Sequence, residues 1–118
     1  MNRIRAAESE LSEQIQTIFD DVDVVITPGT ATGPSRIGAY HRRGAVSTLA
    51  LVAARVPFQA MFNVTGQPAA VVPWGVDANG APTSIQLVGR PFDEATLLSL
   101  AGQIEKARPW AHRHPPVS

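Results

Sequence analysis

The sequence predicts an α/β fold: a small mixed sheet built on a β-hairpin and packed against about three helices. Three observations carry that expectation. Residues 69–76 and 81–88 are apolar runs separated by Asn79-Gly80, and Asn-Gly supplies the positive φ angles of a two-residue type I′ turn. Closing the turn there sets Ala78 against Ala81, Val76 against Thr83, Trp74 against Ile85, Val72 against Leu87 and Val71 against Val88, so the inner half of the hairpin is apolar on both faces. Strands of that kind lie between layers of helix. The stretches before and after the hairpin supply them, with apolar residues at helical spacing.

Length and charge set the outer bounds. A chain of 118 residues is one domain at most, able to bury about two-thirds of its unfolded surface. Ten basic residues balance ten acidic ones, which gives no reason to expect nucleic acid or an acidic membrane as partner. There are no cysteines, so disulfide frameworks and thiolate metal sites are excluded, and a reducing, cytoplasmic setting is the expectation. No apolar run reaches the roughly 18 residues of a membrane span, and MNRIRAAESE reads as a charged helix start rather than a signal peptide.

In chain order, residues 2–19 carry Ile4, Ala7, Leu11, Ile15, Ile18 and Phe19 on one helical face, with Glu8, Glu10 and Glu13 toward water. Arg3 and Arg5 fall in the first turn, against the helix dipole, with Asn2 the one candidate cap. Either the helix continues a longer one or its start is natural and poorly tuned, since each such term is worth only about 0.3–1 kcal/mol. Val24-Val25-Ile26, ended by Thr27-Pro28-Gly29, is a β-branched run apolar on both faces and is expected to pair in parallel. Residues 28–44 form a long loop rich in Gly and Pro. A helix follows over 45–55 through Val46, Leu49, Val52 and Ala53, stopped by Pro57, and Gln59–Val64 adds one more turn.

Beyond the hairpin, Asp93 is the expected N-cap of the last helix. Phe92 is placed to pack on Leu97 as a hydrophobic staple, and Leu97, Leu98, Ala101 and Ile104 form its buried stripe. Pro109 ends it, and 110–118 reads as a flexible tail.

Isolated chemical signals are weak. His112 and His114 have metal-like spacing without a third ligand, so solvated tail residues are the better reading. Tyr40-His41-Arg42-Arg43 reads as a loop tip before an anion corner, and Gly29–Gly33 lacks the Gly-Lys-Ser/Thr of a phosphate loop. Ser47 with His41 has no nucleophile elbow around it.

An ordered series is more specific. Asn63-Val64-Thr65-Gly66-Gln67-Pro68-Ala69, Val72-Pro73, Asn79-Gly80-Ala81-Pro82, Ile85-Gln86-Leu87-Val88-Gly89 and Phe92-Asp93-Glu94, preceded by Val24–Pro28, together resemble the C-terminal end of the amidase signature family. The resemblance covers about residues 20–110 and extends to the amidase subunit of glutamyl-tRNA amidotransferase. It implies an α/β/α body around a large mixed sheet that hydrolyses a carboxylic amide to acid and ammonia or amine, without metal or organic cofactor. It also implies a Ser nucleophile activated through a second Ser, in a cis peptide, by a buried neutral Lys, with backbone amides as oxyanion hole. None of those groups has a counterpart here. Lys106 is the one lysine and falls at the end of a helix, and the seven serines include no Ser-Ser pair and no Gly-Ser-Gly cluster.

The resemblance therefore implies the C-terminal segment of an amide hydrolase with no catalytic residue of its own. Phe62, Asn63 and Gly66 are the expected substrate-binding residues, as pocket wall only. The expected partners are a second copy of the chain, as a homodimer, or the missing N-terminal part of an amidase. A small amide enters only in the complete enzyme. The alternative is a non-catalytic module that self-associates or completes a partner.

Overall fold

The computed structural model describes residues 2–114, with side chains from residue 5 onward. Seven elements follow one another: α1 (Asn2–Ile18), β1 (Val24–Pro28), α2 (Ala45–Arg55), α3 (Pro57–Thr65), β2 (Ala69–Val76), β3 (Pro82–Gly89) and α4 (Glu94–Ala107). The expected roles of Asn2, Arg3 and Ile4 at the start of α1 lie outside the described side chains, and residues 115–118 of the tail lie outside the described residues.

The three strands form one sheet in the order β1-β3-β2, antiparallel throughout. The α/β class holds, but the pairing of β1 differs from expectation: it runs antiparallel to β3, with Val25 opposite Val88 and Thr27 opposite Gln86. The reason lies in the connection. β1 and β2 do run in the same direction, as a strand–helix–strand unit should, but β3 returns from the hairpin and occupies the slot between them. β3 is suited to the centre because Gln86, Leu87, Val88 and Gly89 are all buried. A run apolar on both faces signals depth, not the direction of its neighbour.

The hairpin loop also corrects expectation. Asp77 N donates to Ala81 O at 2.8 Å, and of the intervening residues Gly80 alone has a positive φ, +79°. This is a three-residue loop with glycine in the left-handed position, not a type I′ turn at Asn79-Gly80. The Asp77 carboxylate explains the choice, because one oxygen accepts from the amides of Asn79 and Ala81 at 2.8 and 2.9 Å. Asp77→Ala should lower stability by about 1–2 kcal/mol, given the worth of a charge-assisted bond at a partly wet site, read by urea denaturation. An unchanged midpoint would mean that the turn holds itself.

The loop shift and a bulge between Pro73 and Gly75 together move the register two residues, so Val72 faces Ile85 rather than Leu87, and Ala69 rather than Val71 faces Val88. The shift of two keeps Ala69–Pro73 on their expected faces, whereas between bulge and loop Gly75 and Val76 are only one residue out, opposite Thr83 and Pro82.

Each face has its own helical cover. On one, Ile15 and Phe19 of α1 and its exit meet Phe62 of α3 and Val88 of β3, with Leu11 and Val25 alongside. On the other, Leu97 of α4 meets Val72 and Leu87, backed by Leu100, Ala101, Ile104 and Trp110. Leu98, expected in that stripe, is 70% exposed, and Leu100 takes its place, three residues beyond Leu97. Asp93 caps α4 as expected, accepting from Thr96 Oγ1 at 2.9 Å and Thr96 N at 3.4 Å. The staple does not form: Phe92 has φ +65° and is 95% exposed, turned away from Leu97.

α2 and α3 meet at an 86° bend. α3 is a full nine-residue helix where a single extra turn was expected. α2 has the predicted bounds, but none of its residues is buried. Among the described residues no single helix is long and apolar enough to cross a membrane.

Candidate functional site

The exit of β1 is where several elements converge. Gly29 N donates to Ser84 O at 2.9 Å, carrying the pairing with β3 one step beyond β1. A Cβ on Gly29 would lie 3.1 Å from Ser84 Cβ and closer still to its hydroxyl, so only glycine lets the chains approach this way. Gln59 of α3 donates through Nε2 to Gly29 O. Ala31 N donates to Arg55 O at 2.8 Å, and Arg55 Nη1 to Gly33 O at 2.7 Å. The first turn of the long loop is thus tied to the α2–α3 joint. Farther along, Ser35 and Tyr40 share a hydroxyl–hydroxyl bond of 2.8 Å.

These tethers leave a cleft of about 410 Å³, lined among others by Thr30, Pro34, Tyr40, Arg55, Pro82 and Ser84. Beside it, the sheet face toward α3 carries polar residues in a place usually apolar. Gln86 is buried and donates to Thr27 Oγ1 at 3.4 Å, and Gln67 is buried and paired with Thr65. Gln59 Oε1 and Gln67 Nε2 are buried without a hydrogen-bond partner among the described residues. Each such orphan costs about 1–3 kcal/mol and asks for a partner group. Sequence reasoning singled out none of these glutamines as site residues. The signal available was a glutamine inside the otherwise apolar run Ile85-Gln86-Leu87-Val88.

The residues that the sequence did single out gather at the end of α3. Phe62 is buried in the core with Ile15, Phe19 and Val88. Asn63 is exposed on the last turn of the helix, not in a side-chain-bonded loop. Gly66 is the helix C-cap, with φ +76° and its amide donating to Phe62 O at 2.9 Å. No nucleophile–base pair forms among the other candidates. Ser47 donates to Gly44 O at 2.9 Å within the first turn of α2, and His41 and Lys106 are exposed. Among the described residues no group of three or more His, Asp or Glu could hold a metal ion.

The fold and this site define a class, an α/β body whose sheet and loop groups border a cleft without bringing a nucleophile and base together. Sequence comparison names the family. The amidase family profile matches residues 1–98, and the chain belongs to that family. It is 72% identical over its whole length to the protein named as amidase AmiB2 in Mycobacterium tuberculosis strain H37Rv, of which it covers 26%. It is 42% identical over 90 residues to a glutamyl-tRNA(Gln) amidotransferase subunit from Methylocella silvestris, a match covering 76% of this chain and 17% of that one. Among solved structures, 6-aminohexanoate cyclic dimer hydrolase superposes with TM-score 0.75 at 27% identity, over 98% of this chain and 26% of the hydrolase. The corresponding glutamyl-tRNA(Gln) amidotransferase subunit from Thermotoga maritima also gives TM-score 0.75, at 26% identity, over 92% of this chain and 23% of that one. The chain spans about a quarter of the length of the curated relatives it matches.

Proposed function

We propose that this chain is the C-terminal part of a cytoplasmic amide hydrolase and has no activity alone. The observation that carries the reading is the coverage: the family profile matches 98 of its residues, yet the chain spans only about a quarter of its relatives. In the complete enzyme a carboxylic amide is cleaved to acid and ammonia or amine, without metal or organic cofactor. The Ser–Ser–Lys machinery that the family resemblance implies comes from outside these residues. The chain contributes a wall of the substrate cleft, with Phe62 setting the position of α3 from within the core and Asn63 and Gly66 shaping the end of that helix. Its partner is the N-terminal part of an amidase.

Co-expression with the N-terminal portion of a family member tests this. The pair should hydrolyse small amides that neither piece turns over alone, because an oxyanion formed on this chain alone would meet no preorganised donors. Gly66→Val, which forces a β-branched residue into the left-handed region at a cost of about 1–2 kcal/mol, should weaken the restored activity through assembly and substrate fit. Asn63→Ala should act in the same direction. A stable complex that stays inactive, or activity indifferent to Gly66→Val, would reduce this segment to scaffold.

A second reading, a non-catalytic module that self-associates or completes a partner, is favoured by one observation. α2 presents Val46 at 84% and Leu49 at 71% exposure, an apolar surface this chain does not itself bury.

A further inference from the structure

The bulge in β2 has a use that the core does not explain. Pro73 faces Ser84 and Gly75 faces Thr83, so Trp74 between them has no partner on β3. Bulges re-aim side chains, and this one leaves Trp74 42% exposed as a residue. The tryptophan that serves packing is the other one, Trp110, which lies against the Val72–Leu87–Leu97 cluster. Trp74 instead carries Arg108, whose guanidinium carbon sits 4.2 Å from the ring centroid.

The backbone holds that pair in place. Arg108 is the C-cap of α4, its amide donating to Ile104 O at 2.8 Å. After Pro109, Trp110 anchors the chain in the core, and Arg113 N donates to Trp110 O at 2.9 Å, which turns Arg113 back. Arg113 then lines the same cleft as Trp74, Gly75, Val76, Thr83 and Arg108, a space of about 450 Å³.

Two guanidinium groups on one cleft repel each other unless an anion lies between them. Among the described residues neither has a carboxylate partner: Arg90 with Asp23 is the one ion pair, and neither arginine side chain enters a hydrogen bond. An arginine stacked on an aromatic face keeps its edge donors free, in a fork that pairs with two oxygens of a carboxylate or a phosphate. The exposed indole beside it offers a flat apolar shelf.

We propose that the Trp74–Arg108–Arg113 cleft binds a small anion with a flat apolar body, an aromatic carboxylate or phosphate monoester, its oxygens held by the two arginines and its ring laid along Trp74. The cleft joins Trp74, Gly75, Val76 and Thr83, which lie within residues 1–98, to Arg108 and Arg113, which lie beyond them, and binding there does not depend on the amidase reading.

The test is tryptophan fluorescence of the full 118-residue chain in its native assembly, titrated at low salt with benzoate, phenyl phosphate and neutral benzamide. Either anion should produce a saturable change, with benzamide at least about tenfold weaker, the scale of one lost charge-assisted bond. The tighter of the two anions names the carboxylate or the phosphate source. Trp74→Phe should remove the signal and leave that of Trp110. Arg113→Ala, at an exposed position, should weaken binding about tenfold with circular dichroism unchanged, and Arg113→Lys should recover only part of it. Arg108→Ala should match Arg113→Ala. Absence of saturation by both anions, equal binding of benzamide, or affinities untouched in both alanine variants would overturn the proposal.

Discussion

Leu87→Ala should lower the unfolding free energy by about 2–5 kcal/mol, the span for a leucine removed from a packed core. Leu87 is fully buried at the middle of the central strand, with Val72 beside it on β2 and Leu97 above it on α4. Neither neighbour can collapse into the space without leaving its own contact, so the upper half of the range is expected. Leu98→Ala, one residue round the same helix and exposed, should change stability by less than about 0.5 kcal/mol. Urea denaturation at one fixed protein concentration separates the two, since association would otherwise shift the midpoint. Equal costs would mean that α4 does not seat on β3 through Leu97.

That pair of leucines also shows what the sequence could tell. Leu97 and Leu98 are chemically identical, and the helical period admits either into a stripe with Ala101 and Ile104. Only the sheet decides, and it chose the face that takes Leu100 with Leu97. Element positions were legible because they follow from local chemistry: β-branched residues at Val24–Ile26, Pro57 at a helix junction, and Asp93 as a cap. Partners were less so. The β1 run encodes burial without saying that β3 would fill the slot beside it, and Asn79-Gly80 marks a turn while the carboxylate at Asp77 sets its length. Phe92 failed as a staple because its backbone lies in a region that no propensity scale assigns to phenylalanine.

The candidate site was legible as family and hardly at all as geometry. Asn63 and Gly66 resemble a turn in sequence, and the structure makes one of them helix and the other its cap. The polar layer of Gln59, Gln67 and Gln86 depends on α3 lying across the sheet, a long-range contact with no local signature. Its two orphaned atoms and the bare face of α2 have no partners among the described residues.

The isolated chain should therefore not behave as a monomer. Its accessible surface is 8851 Å², whereas a compact monomer of 12.6 kDa exposes about 6,200 Å². Its radius of gyration is 17.1 Å against about 13.5 Å for a compact domain of this length, and its extents are 51 × 43 × 21 Å, a slab. The excess, roughly 2,600 Å² on one partner, is of the size found in obligate interfaces rather than transient ones. Exposed apolar side chains lie on several elements: Val46 and Leu49 on α2, Val64 on α3, Ile26 on β1, and Val71 and Val76 on β2. The outer edges of β1 and β2 add unpaired backbone groups. At about 25 cal/mol per Å², covering even a few hundred Å² of apolar surface is worth several kcal/mol, comparable to the stability of a small domain. A symmetric dimer is the simplest closed way for the chain to cover itself when no amidase N-terminal part is present. Sedimentation velocity at tens of micromolar should show a dimer or larger species, and adding the N-terminal portion should replace it with a one-to-one complex. A single monomer boundary that binds no hydrophobic dye would show that the slab is stable uncovered, and the need for a partner would fall with it.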